Sequence, residues 1–137
     1  MRKIAVFTAT RAEYGLLKPI IRRITASPYC ELLLVAGGEH LDEKKGTTLD
    51  EIIIDGFSID EIVFNVCSGD APGNLAESVA VGIKQFAEIV EKHKPDILLL
   101  LGDRYELLAP AACAILYRIP IAHIGGGEAT FGVLDEQ

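Results

Sequence analysis

Asp96-Ile97-Leu98-Leu99-Leu100-Leu101 runs directly into Gly102-Asp103-Arg104-Tyr105-Glu106, and from there into an alanine-rich stretch ending at Tyr117. The leucine run has no polar break on either face, so it reads as a strand buried on both sides. Tyr105–Tyr117 is almost wholly apolar and reads as a short helix buried on most sides. Gly102, Asp103 and Arg104 sit between strand and helix, and Tyr105 and Glu106 open the helix. The same unit recurs outward from here in both directions. Lys3–Thr8, Glu31–Ala36, Asp60–Asn65 and Pro120–Ile124 read as further buried strands. In Tyr14–Ala26, Leu17, Ile20, Ile21 and Ile24 fall on one helical face. In Asn74–His93, Leu75, Val79, Ile83, Phe86 and Val90 do the same, with Asn74 as N-cap and Glu77 completing a capping box. Gly46–Ile54 is a weaker, shorter helical pattern.

Strand–helix alternation with continuous apolar strands implies the α/β class, a three-layer Rossmann-like domain around a parallel sheet. The expected strand order is 3-2-1-4-5. Strands 1 and 4 then lie side by side where the winding reverses, and ligands bind at the carboxyl ends there. The chain has 137 residues, half of them hydrophobic, which suits one domain over 1–137. Thirteen Lys and Arg against twenty Asp and Glu give a net charge of -7, which argues against nucleic-acid binding. Cys30, Cys67 and Cys113 are widely spaced without a CxxC pair, as expected of reduced thiols and not of a zinc site. With no signal-peptide pattern and no membrane-length apolar run, the expectation is a soluble cytoplasmic protein.

The chemistry falls in three loops. The first, Ala9–Gly15, has neither a dinucleotide fingerprint nor a phosphate-binding Walker pattern. It offers Arg11 just before a helix N-terminus, either a cation for a phosphate-like anion or a surface arginine paired with Glu13. The loop after strand 4 holds Asp103, either a helix cap or a functional carboxylate, with Arg104 and Glu106 in the same turn. The loop after strand 5, His123–Thr130, carries Gly125, Gly126 and Gly127, then Glu128, a reasonable general acid or base. His123 ends an apolar strand, where a satisfied core histidine is the commoner reading. Gly37–Asp42, one strand from the crevice, reads as a turn in which His40 has a supporting role.

The strings TRAEYG (Thr10–Gly15), LGDRYE (Leu101–Glu106) and HIGGGEATFGVLDE (His123–Glu136) resemble the hydrolysing UDP-N-acetylglucosamine 2-epimerases of sialic- and nonulosonic-acid synthesis. The resemblance extends in order from Met1 to Gln137. It implies the N-terminal half of a glycosyltransferase-B-type fold, with a C-terminal nucleotide-binding domain absent from this chain. It also implies conversion of UDP-N-acetylglucosamine to N-acetylmannosamine and UDP through a glycal-like intermediate, with no metal or other cofactor. Arg11 would then lie against the phosphates, and Asp103, Glu128 and Asp135 would be the catalytic acids. Arg104, His40, His123, Gly126 and Gly127 would complete the substrate-binding set. Some relatives carry a glutamate where this chain has Gly125, so the identity of the C2 base stays open. The nonhydrolysing branch has a lysine where this chain has Leu16, which favours the hydrolysing branch. Homodimerisation is usual in the family.

Two other readings share this architecture, a glycosyltransferase-B sugar transferase and a binding fragment without turnover. Against the transferase stand the acid-rich loops, since a transferase needs one base and an open acceptor face. All three loops should converge on one cleft, which coordinates check directly. Asp103 and Glu128 at opposite ends of the sheet would contradict both the strand order and the site.

Overall fold

In a computed structural model, the described residues are 1–42, 46, 48–65, 69 and 71–125. Five strands form one parallel sheet: β1 (Arg2–Thr8), β2 (Cys30–Gly37), β3 (Glu61–Val63), β4 (Ile97–Leu101) and β5 (Ile121–Ile124). Their order is β3-β2-β1-β4-β5, as the sequence implied. The helices are α1 (Arg11–Ala26), α2 (Leu49–Ile54), α3 (Pro72–His93) and α4 (Leu108–Leu116), with 3-10 turns at Gly38–Leu41 and Tyr105–Leu107. Among the described residues, no helix is long and apolar enough to cross a membrane.

Alternation along the central strands supplies two separate cores. Ala5, Phe7, Leu33, Val35, Leu98 and Leu100 pack with Phe86, Ile89 and Val90 of α3 and Cys113 and Ala114 of α4. Val6, Leu34 and Leu99 point the other way, onto Tyr14, Leu17, Ile21 and Ile24 of α1 and Ile52 of α2. This two-sided burial is why the strands read as unbroken apolar runs. Phe7 meets Phe86 edge-on, with ring centroids 6.1 Å apart. Two aspartates immediately precede the flanking strands β3 and β4. The Leu34 amide donates to Asp60 at 2.7 Å and the Lys3 amide to Asp96 at 2.8 Å. Asp60 and Asp96 return their own amides to the carbonyls of Leu34 and Lys3, which aligns β3 and β4 with the central pair.

Four expectations need correction. Helix α3 starts at Pro72 with Ala71 as N-cap, so Asn74 lies inside its first turn. Proline at the first helical position is pre-set for the helix and begins it earlier than the capping pattern suggested. Strand β3 spans only Glu61–Val63, shorter than the apolar run. Helix α4 is buried on one side only: Ala109, Cys113 and Ala114 are covered, while Leu108, Ile115 and Leu116 are exposed. Strand β5 pairs with β4 at one edge of the sheet and is exposed at all four residues.

Phe86→Ala should leave a cavity between the sheet and α3 and cost about 3–5 kcal/mol. The wild-type chain should melt in one cooperative transition, with this variant lower by roughly 10 °C or more. Calorimetry or circular dichroism reads both, and a variant melting at the wild-type temperature would contradict the packing.

Candidate active site

Parallel pairing of β1 with β4, through Val6 and Leu99, sets the loop after Thr8 beside the loop after Leu101. The first loop is organised by its own helix cap. Thr10 is the N-cap of α1, and its hydroxyl accepts the Glu13 amide at 3.1 Å. Glu13 turns back so that Oε1 accepts the Ala9 amide at 3.0 Å, one residue beyond the usual capping-box partner. Its other oxygen, Oε2, is buried without a hydrogen-bond partner. Burial raises the Glu13 pKa above the usual carboxylate value, and the Glu106 charge adds to this against the Ala9 amide and Arg104.

Arg11 opens α1 and is well exposed. It pairs at 2.8 Å with Glu51 of α2, not with Glu13. An exposed pair of this kind contributes at most about 1 kcal/mol, so a better anion can displace Glu51. Arg104 is in a different position. Its Nε and Nη2 donate to the two carboxylate oxygens of Glu106 at 3.0 and 2.8 Å, and Nη2 also reaches Glu39 at 2.9 Å. The Glu106 side chain is fully buried, and this fork raises the Arg104 pKa further, so the guanidinium is permanently charged. Arg104 therefore crosslinks the loops after β2 and β4.

Asp103 is exposed beside this crosslink. The 3-10 turn that follows has Arg104, the residue after Asp103, at its N-cap position. With Leu100, Leu107, Ala111, Ile121 and His123 it borders a cavity of about 220 Å³. His123 is exposed, unlike a core histidine, and its Nε2 lies 2.5 Å from the Gly102 carbonyl. The Gly102 amide in turn donates to Ile124 at 2.9 Å, which ties β5 to the loop carrying Asp103. Gly102 has φ +94°, a conformation that favours glycine.

His40 lies beneath this surface, completely buried. The Thr8 hydroxyl donates to the Thr10 carbonyl at 3.4 Å and accepts from His40 Nε2 at 2.8 Å. Nδ1 lies 2.5 Å from the Thr48 hydroxyl, so both ring nitrogens have hydroxyl partners. Arg11, Asp103, Arg104 and His123 thus share the carboxyl edge, with His40 under it. Gly126, Gly127, Glu128 and Asp135 lie outside the described residues, as does Cys67. Glu13 and Glu106 were not among the site residues expected from the sequence. The Thr10-x-x-Glu13 spacing was a usable signal for the first, and nothing in the sequence announced the burial of the second.

Residues 22–137 match the family described as UDP-N-acetylglucosamine 2-epimerase. A Legionella pneumophila protein named UDP-N,N'-diacetylbacillosamine 2-epimerase (hydrolyzing) is 39% identical over 99% of this chain and 36% of its own length. A Campylobacter jejuni protein named GDP/UDP-N,N'-diacetylbacillosamine 2-epimerase (hydrolyzing) is 36% identical over 98% of this chain and 35% of its own. The chain therefore spans about a third of the length of these relatives. The crystal structure of the Neisseria meningitidis UDP-GlcNAc 2-epimerase bound to UDP-GlcNAc shares the fold. It has a TM-score of 0.77 at 22% identity, over 96% of this chain and 34% of that one.

Burial holds the His40 pKa down at about 4. Unfolding exposes a ring that takes up a proton below its ordinary value of about 6.5. Stability is then complete above about pH 6.5 and lost progressively as pH falls toward 4, by about 3 kcal/mol in all. Glu13, with its pKa raised, contributes in the opposite sense over its own range. Denaturant melts between pH 4 and 7 should show the His40 slope in the wild type. A His40→Gln variant should lose that slope whatever its absolute stability; an unchanged slope would place the titration elsewhere.

Proposed function

Since the chain belongs to the UDP-N-acetylglucosamine 2-epimerase family, we propose that it is the N-terminal catalytic half of a hydrolysing sugar-nucleotide 2-epimerase. The substrate is a UDP-linked 2-acetamido sugar, UDP-N-acetylglucosamine or a diacetamido relative. The names of the Legionella and Campylobacter relatives support that class. The observation that carries the reading is the β1–β4 pairing, which sets the Arg11 loop beside the Asp103 loop.

The C2 proton of such a sugar has no adjacent carbonyl to acidify it. Its removal therefore needs positive charge to develop at C1 as the leaving group departs. The C1–O bond breaks and its electron pair leaves with UDP. The C2–H pair becomes the C1–C2 double bond, and a carboxylate takes the proton. Water then supplies hydroxyl to C1 and a proton to the opposite face of C2, giving the 2-epimer, N-acetylmannosamine in the simplest case. Asp103, Glu128 and Asp135 divide two tasks, proton transfer and stabilisation of the charge at C1. Arg11 exchanges Glu51 for the diphosphate and stabilises the charge building on UDP. A second Rossmann-like domain supplies most of the nucleotide contacts and closes the cleft, and the full-length protein works in the cytoplasm as a homodimer.

In the full-length protein, Asp103→Asn should keep the melting temperature and KM near wild type while lowering turnover by about 100-fold or more. Unchanged turnover would remove Asp103 from the chemistry. The 137-residue chain alone should release no UDP from UDP-N-acetylglucosamine, because one open wall leaves water to screen its charges. Substantial UDP release by a monodisperse sample would contradict the two-wall cleft.

A further inference from the structure

The loops after β1, β2 and β4 approach one another around Gly38. A Cβ added to Gly38 would lie 2.9 Å from the Ala9 Cβ, 3.0 Å from its carbonyl oxygen and 3.3 Å from Glu106 Cγ. Glu106 holds Arg104 in its fork, and Arg104 follows Asp103 directly in the chain. The Ala9 amide is gripped from the other side by Glu13 Oε1 at 3.0 Å. Glu13 is 95% buried by its 5% relative exposure, and its Oε2 lies 3.9 Å from where a Gly102 side chain would begin. So a single carboxyl grips the Ala9 amide and lies near the backbone just before Asp103.

We propose that Glu13 is a positioning residue of this site, one that holds Ala9 against Gly38 and, through the packing of Gly38 on Glu106, the Glu106–Arg104 fork and Asp103. A fully buried Oε2 touches no substrate, so Glu13 acts only through these neighbours. Three carboxylates, Glu13, Glu39 and Glu106, surround one guanidinium, and burial favours the neutral form of the one that Arg104 does not bind. Glu13 keeps its grip on the Ala9 amide through Oε1 in either protonation state. This inference rests on the reading of Asp103 as a reacting carboxylate.

Glutamine retains the amide-accepting oxygen and alanine does not, so the two substitutions separate the grip from the charge. In the full-length protein, Glu13→Gln should keep kcat within about threefold of wild type. Glu13→Ala should lower kcat by about tenfold or more, with KM within about twofold. The carboxyl carbon resonance of Asp103, followed by NMR, should move in Glu13→Ala and stay in place in Glu13→Gln. Equal kcat losses in both variants, an unmoved Asp103 resonance in Glu13→Ala, or a Glu13→Ala protein without a melting transition would each overturn the proposal. Asp103→Asn, run alongside, keeps the two readings apart. If its turnover is normal, the assignment of Asp103 fails, while the Asp103 resonance still reports whether Glu13 positions that loop.

Discussion

A close approach of three loops at Gly38 governs the carboxyl edge of this sheet. Gly38 has φ +56°, and a methyl group there would meet Ala9 at 2.9 Å, a distance at which something must shift. Only glycine meets both conditions, left-handed backbone and no side chain. Because β1 lies between β2 and β4, its loop is the one that both neighbours must reach. The Glu106–Arg104–Glu39 bridge then closes the contact from the other side. Asp103 directly precedes Arg104 in the chain and so sits beside this bridge.

The same edge divides its cations by burial. Arg104 faces a fully buried carboxylate, and breaking such a pair leaves a charge without compensation. Arg11 is 72% exposed and its partner Glu51 is on the surface, so exchanging that partner for an anion costs little. The sequence assigned both arginines to substrate, since residue type and loop position are alike for the two. The difference lies in what surrounds them. A buried neutral histidine, His40, sits below both loops and joins Thr8 at the end of β1 to Thr48 before α2.

Much of the fold was legible because the central strands are buried on both faces, which makes β1, β2 and β4 continuous apolar runs. The order of the five strands followed from that and from the alternation with helices. The edges were less legible. Glu61–Val63 is too short for periodicity to bound it, and Pro72 outweighed the capping pattern at Asn74. Helix α4 looked buried because apolar content alone does not tell how many neighbours a helix has. For the candidate site, loop placement put Arg11, Asp103 and Arg104 at the carboxyl edge, but burial is a tertiary property, and so Glu13, Glu106 and the burial of His40 had to be seen in three dimensions.

The central claim is that the crevice at β1 and β4 serves a reaction in which the C2 proton is lost as UDP leaves. Turnover of UDP-N-acetylglucosamine by the full-length protein in D2O tests it most directly, with the free sugar analysed by NMR and mass spectrometry. The account predicts an epimerised sugar with deuterium at C2, because the new C2 hydrogen comes from solvent. A released sugar that keeps its original hydrogen and configuration at C2 would contradict the account, since UDP would then have left by simple hydrolysis.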